Sequence, residues 1–528
     1  MTKKSARLSA DGAAASPLGR LFARFLGANE RNQDRPASAG DRPVFSPAVT
    51  VAQAPPAAED ADRRGGDGSG FRIAIIGAGL SGSLLAVHLL QRCQPADRIY
   101  LIESRAGFGR GLAYSTSNPN HLLNVRAGNM SAFPDQPDHF VAWLRSRAHE
   151  MGEDPPTADC FVSRQLYGTY IRSLLADRLW GGGKGRNLVL VPDTAQAITE
   201  DGDGLRVIVD IGRSYGADAV VLAAGHFPPD RSHGAYRGNP WDPEAIAKLH
   251  ADDKVALIGT GLTMVDVVQS LLDSGHRGPI VAVSRRGLLP AEHAPTVALP
   301  LAVEDLPPTT SVTRLVHWLR RRLAQAEAEG IDWRAVVDGL RPHLTDLWRR
   351  LPIEERRRFL RHLRAAWDVH RHRLAPQVAA MLRAARARGQ FTVHAARVVA
   401  IHADEERVRL SLRPRGSDTV DRIEVARVIN CSGPESDYRA TRHPLILNLL
   451  DQQLIRPDPL RLGLDVTEDG ALIAGDGTAS TRLFALGPMT RGTFWEVGAV
   501  PDIRLHAARL ATRIIQLRDL SGAARRHA

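Results

Sequence analysis

Cysteine is scarce in this chain. Of 528 residues only Cys93, Cys160 and Cys431 are cysteines, and they are far apart with no CxxC pair. Neither a disulfide framework nor a paired-thiol redox centre is therefore suggested, and a reducing, cytoplasmic setting is expected. No stretch of about 18 apolar residues is free of charge, so no membrane-spanning helix is expected. Histidine is plentiful at 19 residues, yet there is no HExxH pattern and no Cys/His cluster. His370 and His372 lie too close in sequence to share a helix face, so no metal site is expected. The nucleophile elbow and residue order of a Ser/His/Asp hydrolase are also missing. What remains is a chain that is 43% hydrophobic and long enough for two or three domains with substantial cores.

Residues 1–70 are rich in Ala, Pro, Gly, Asp and Arg with little periodicity, the composition of a disordered tail. Within them SPLGRLFARFLG (16–27) has the pattern of a short basic amphipathic helix but not a secretory signal's apolar core. Folding is expected to start near Phe71. The net charge of +11 has a local source: between Val312 and Gln390 there are 18 Arg against 8 Asp or Glu. Leu315, Trp318, Leu319 and Leu323, and then Phe359, Leu360, Leu363 and Trp367, recur at helical spacing there. This predicts an Arg-rich helical insertion over 302–390. It carries no recognition-helix, zinc or RNP-like signature, so no nucleic-acid partner is expected; its outer face is either a solvated surface or an attractor for an anionic cofactor or substrate.

Residues 71–104 read FRIAIIGAGLSGSLLAVHLLQRCQPADRIYLIES. An apolar strand runs into Gly77-Ala78-Gly79-Leu80-Ser81-Gly82, followed by a helix and a second strand ending at Glu103. Gly77 permits a tight turn, Gly79 lets a pyrophosphate approach the helix N-terminus beside Ser81, and Gly82 lets helix and strand pack closely. Glu103 stands where a carboxylate can accept both hydroxyls of an adenosine ribose. A second, imperfect copy follows at VALIGTGLTMVDVV (255–268), with Gly259 and Gly261 at the turn and Met264 in place of the third glycine. The position matching Glu103 is here Arg285, followed by Arg286. Guanidinium forks match a phosphate, so the pair suits the 2′-phosphate of NADPH; the alternative is two ordinary surface charges after a strand. One unit suited to a ribose diol and one to a 2′-phosphate imply a flavoprotein reduced by NADPH.

These stretches, with GRGLAYSTSNPNHLLNVRAGNMSAFPDQPDHFVAWL (109–144), VVLAAGHFPP (220–229), SRRGLLPAEH (284–293), VINCSGPESDY (428–438) and LFALGPMTRGTFWEVGAVPDIRLHA (483–507), carry a family resemblance. Over about residues 71–515 the chain resembles the bacterial FAD/NAD(P)-binding oxidoreductases related to class B flavin monooxygenases, such as the ornithine and lysine N-hydroxylases. The resemblance implies an α/β fold of two Rossmann-like dinucleotide-binding domains. A split FAD domain would comprise 71–228 and 433–528, and an NAD(P)H domain 229–432 would carry the helical insertion. It implies FAD held by Gly77, Gly79, Gly82 and Glu103, and a flavin wall from Pro488, Arg491, Trp495 and Glu496 before a helix starting near Val500. Asn124, Arg126, Asn129 and Met130 are candidates for a loop approaching the flavin, or else turn residues. His226 and His293 are candidate proton shuttles bordering the nicotinamide–flavin region, or else structural histidines.

Three functions stay open at this point. The first is an NADPH-dependent flavin monooxygenase that uses O2 to oxygenate a small-molecule nitrogen or sulfur. The second is a flavin reductase or dehydrogenase without oxygen insertion. The third is a non-catalytic flavin-binding interaction protein with the Arg-rich helices as its surface.

Overall fold

The computed structural model describes residues 70–527 apart from 106, 152–153, 181–186, 203, 211 and 228–231. The expected tail and its amphipathic stretch, through residue 69, lie outside the described residues. The remainder forms two compact units. One contains 70–227, 344–350 and 434–527; the other contains 232–343 and 351–433.

In the first unit the apolar runs IAII, IYLI and AVVL are buried as the centre of a six-stranded sheet. Its order is Ala471–Ile473, Ala479–Ala485, Ala219–Leu222, Arg72–Ile76, Arg98–Ile102 and Leu188–Val191. All neighbours are parallel except the first pair. Runs apolar on both faces are what a parallel sheet covered on both sides demands. The chain leaves Arg72–Ile76 toward Arg98–Ile102 and later returns to its other side at Ala219–Leu222. The carboxyl end of Arg72–Ile76 is therefore the topological switch point, the place where open α/β sheets bind ligands. The helix Leu80–Leu90 is buried along its whole length. A separate antiparallel sheet is made by Ala195–Asp201, Gly204–Val209 and Ser214–Ala217.

The second unit repeats the plan. Its seven-stranded sheet runs Asp421–Val425, Val408–Pro414, Phe391–Ala403, Ile280–Ser284, Val255–Ile258, Arg427–Asn430 and Tyr236–Arg237. Pairing is parallel from Phe391–Ala403 onward and antiparallel in the hairpins before it. Val255–Ile258 is again flanked by the next strand in sequence and by one that returns much later, so a second switch point lies at Gly259. The Arg-rich insertion forms helices from Val312–Ala328 to Pro376–Ala387, with Val316, Leu319 and Leu323 buried; Arg314, Arg321, Arg357 and Arg358 are exposed as expected, but Arg334, Arg371 and Arg373 are buried. Leu344–Arg350 within it groups with the first unit instead.

No helix among the described residues is long and apolar enough to cross a membrane, and no three His, Cys, Asp or Glu side chains there come together as a metal cage.

Candidate dinucleotide sites

The two glycine turns are built alike. Gly77 and Gly259 have φ of 103° and 115°, in the left-handed region that favours glycine. Each donates its N–H to the end of the adjacent strand, Gly77 to Ile102 O and Gly259 to Val283 O, both at 2.8 Å. On the other side Ala223 N donates to Ile76 O and Cys431 N to Ile258 O, also at 2.8 Å. A Cβ on Gly77 would strike the carbonyl of Ala223, and one on Gly259 that of Cys431. The turn thus has no room for a side chain because two neighbouring strands close on it.

Gly79 and Gly261 cap the helices Leu80–Leu90 and Leu262–Asp273 with extended backbone and no side-chain cap bond. Their helices therefore present N–H groups and the positive end of the helix dipole at the turn, an arrangement that suits a pyrophosphate. Around Gly261 nothing lies within 4 Å of where a Cβ would stand. At Gly79 the corresponding point is 3.3 Å from Gly111 Cα. At the third position, a Cβ on Gly82 would fall on Gly77 O, with Ile75 Cγ2 at 3.1 Å. Met264, its counterpart, is fully buried in the core of the second unit.

Glu103 directly follows Arg98–Ile102. Its Oε2 accepts from Ala78 N at 2.9 Å and its Oε1 from Arg105 N at 3.1 Å, while its own N–H donates to Val191 O. The carboxylate is therefore fixed beside the glycine turn, with lone pairs left for further donors. In the second unit Arg285 is exposed after Ile280–Ser284, and Arg286 is half-buried and donates from Nη2 to Arg361 O at 3.0 Å. Ser284 Oγ accepts from Gly287 N at 3.0 Å and lies 2.9 Å from Thr260 Oγ1. These bonds tie the glycine turn to the segment bearing the two arginines.

The other sequence-predicted residues are distributed unevenly. Ser81 is buried, and a Cβ on Gly487 would strike its Oγ. This places the end of the strand Ala479–Ala485 hard against the first glycine turn. Arg126 pairs with Asp159 at 3.0 Å, Asn129 is exposed, Asn124 is half-buried and Met130 is in the hydrophobic core. Trp495 is buried between Arg491, whose Cζ lies 4.4 Å from its ring centre, and Trp348, stacked on it at 4.8 Å. Pro488 opens the short turn Gly487–Thr490, Glu496 is buried, and the expected helix begins at Val500. His226, four residues past the strand Ala219–Leu222, keeps part of its surface in solvent. Desolvation, and then the nearby Arg491 charge, lower its pKa to about 4. It is neutral at physiological pH and a weaker base than an ordinary imidazole. His293 lies in the other unit, with its N–H donated to Leu374 O at 2.9 Å.

Several site-bordering residues were missed by sequence reasoning. Gly109, with φ of 88°, donates its N–H to Ala78 O at 2.8 Å, and Gly111 lies against Gly79, so Gly109-Arg110-Gly111 folds over the first glycine turn. Arg172, on the helix Arg164–Trp180, packs against Gly109; burial and then Arg110 depress its pKa. The available signal was a glycine pair flanking an arginine shortly after Glu103. Trp348 was also missed, because its position in an Arg-rich helical run gives no hint that its indole N–H donates to Gly492 O at 2.8 Å.

Residues 74–227 match a family model described as FAD-NAD(P)-binding. The chermesin D/asnovolin J monooxidase of Aspergillus novofumigatus is 26% identical over 229 residues, which cover 39% of this chain and 32% of that protein; the chain thus spans about a third of this curated relative. Among solved structures, the ornithine N-hydroxylase of Kutzneria sp. 744 has a TM-score of 0.57 at 13% identity, covering 85% of this chain and 100% of that one. The L-lysine 6-monooxygenase of Pseudomonas syringae has a TM-score of 0.56 at 15% identity, covering 85% and 99%. Residues 74–227 thus carry an FAD-NAD(P)-binding match, and the chain as a whole has the fold of the ornithine N-hydroxylase and the lysine monooxygenase.

Proposed function

We propose that the chain is an FAD-dependent, NADPH-using monooxygenase that oxygenates a nitrogen or sulfur of a small molecule. The observation that carries the cofactor assignment is the pair of like-built switch points, one followed by Glu103 and the other by Arg285 and Arg286. A carboxylate there would accept a ribose diol and repel a 2′-phosphate; guanidinium groups would do the reverse. The oxygenation reading is supported by the curated relative, a monooxidase, and by the two fold neighbours, an ornithine N-hydroxylase and an L-lysine 6-monooxygenase.

The glycine turns fit a dinucleotide, since both helices start at a glycine with no side-chain cap and at Gly261 nothing lies within 4 Å of where a Cβ would stand. Gly77, Gly79 and Gly82, with the N-terminus of Leu80–Leu90, would hold the pyrophosphate of FAD, and Glu103 its ribose. Gly259, Gly261 and the N-terminus of Leu262–Asp273 would do the same for NADPH, with Arg285 and Arg286 reading the 2′-phosphate. When bound, FAD supplies hydride acceptance from the nicotinamide and electron transfer to O2. The chain's part is binding, orientation and exclusion of water, with Trp495 and Arg491 as a wall and His226 as a neutral imidazole within reach of the Arg491 charge.

The test is aerobic turnover of FAD-loaded protein with NADPH and a panel of primary amines and thiols. Substrate-dependent NADPH oxidation with one 18O atom from 18O2 in an N- or S-oxygenated product is expected. NADPH oxidation that yields only hydrogen peroxide or a reduced acceptor across the panel would support the reductase reading, and no flavin reduction at all the interaction-protein reading.

A further inference from the structure

The Arg-rich insertion has no part in the reading above, yet one of its helices reaches the strand end where Arg285 and Arg286 stand. Arg286 donates from Nη2 to the carbonyl of Arg361 at 3.0 Å, which fixes the last turn of the helix Ile353–His362 beside it. A third segment comes from the hairpin that follows Phe391–Ala403. Arg415, one residue past the strand Val408–Pro414, donates its N–H to Ala395 O at 2.8 Å. Gly287 packs on the same residue, where an added Cβ would lie 3.0 Å from Ala395 Cβ. Ala395 thus sets the segments bearing Arg286 and Arg415 next to one another.

The charges that act on Arg286 and on His362, the last residue of that helix, are all of one sign. Burial, then Arg415, then Arg285 hold the Arg286 guanidinium below its ordinary pKa; burial, then Arg361, Arg286 and Arg358 do the same for the His362 imidazole. The helix's own Glu355 is engaged elsewhere, with Arg358 and with Val312 N. Cations from three separate segments are therefore held together by backbone bonds and packing against their mutual repulsion. Such an arrangement gains stability when a multiply charged anion enters.

We propose that Arg415 and the helix Ile353–His362, through Arg361, join Arg285 and Arg286 in one receptor for a phosphate monoester dianion, the 2′-phosphate of NADPH. This assigns the insertion a specificity role, and it rests on the NADPH reading above.

The experiment is calorimetric titration of FAD-loaded protein with NADP+ and with NAD+, using wild type, Arg286→Ala, Arg415→Ala, Arg415→Lys and Arg361→Ala. Truncating Arg361 at Cβ keeps the carbonyl that Arg286 uses, and NAD+ affinity is the internal control for folding. The expected result is a loss of about 10-fold or more in NADP+ affinity in Arg415→Ala, the scale of one charge-assisted hydrogen bond, with NAD+ unchanged and partial recovery in Arg415→Lys. Arg361→Ala should lose a smaller factor, steeper at low salt. If Arg286→Ala abolishes the preference while Arg415→Ala and Arg361→Ala stay within about twofold of wild type, the three-segment receptor is wrong and NADPH use stands. A wild type with no preference for NADP+ overturns both.

Discussion

Replacing Gly261 by Ala separates the demands of folding from those of binding. Gly261 has φ of −86° and ψ of −168°, which alanine adopts without strain, and the space before it is open to 4 Å. The apo protein should therefore be unharmed; the smaller backbone entropy of unfolded alanine favours the variant by about 0.4–1 kcal/mol. The methyl group would stand at the helix N-terminus where a phosphate has to come within hydrogen-bond distance of the backbone. Losing one or two charge-assisted bonds there costs about 1.5–3 kcal/mol each, a roughly 10- to 150-fold weaker NADPH complex per bond. The assay is paired: thermal unfolding without ligand, and titration with NADP+. An unchanged or raised melting temperature together with weakened binding is expected. A lowered melting temperature would show that the open space is filled in solution. Unchanged NADP+ affinity would remove Gly261 from the phosphate path.

Gly82→Ala should behave oppositely, because its Cβ would meet backbone at Gly77 O and the buried helix Leu80–Leu90 cannot move aside; a loss of about 1–3 kcal/mol in stability should appear already in the apo protein's chemical denaturation. Trp348→Ala removes a buried ring stacked on Trp495 and leaves Gly492 O without its indole donor, a loss of about 3–5 kcal/mol, whereas Trp348→Phe should lose about 1 kcal/mol; denaturation followed by tryptophan fluorescence compares them. Arg285→Ala should raise KM for NADPH far more than for NADH; equal effects would show that the arginines do not read the 2′-phosphate. His226 should titrate well below an ordinary imidazole in an NMR pH series and move up in Arg491→Gln, though only in part, since desolvation is the larger cause. The Cys431 thiol, buried with its pKa raised strongly by desolvation and then by Asp266, should resist alkylation at pH 8 until the protein is unfolded.

The glycine turns were legible because their chemistry is local. A strand, a residue with positive φ and a helix start occupy consecutive positions, so Gly77, Gly79, Gly259 and Gly261 could be placed by counting. The acid-or-arginine contrast at the next strand's end was legible for the same reason: one βαβ unit fixes the distance from the turn to Glu103 or Arg285. Those local patterns, read from the sequence alone, determined the fold class and carry the proposal of two cofactors. Tertiary structure decided what converges from far along the chain. The Gly109-Arg110-Gly111 loop over Ala78, Gly487 against Ser81, Trp348 under Trp495, and Arg361 and Arg415 beside Arg286 all join segments distant in sequence. No period or spacing encodes such meetings, because they depend on which strands become neighbours and on where an inserted helix is able to bury its apolar face.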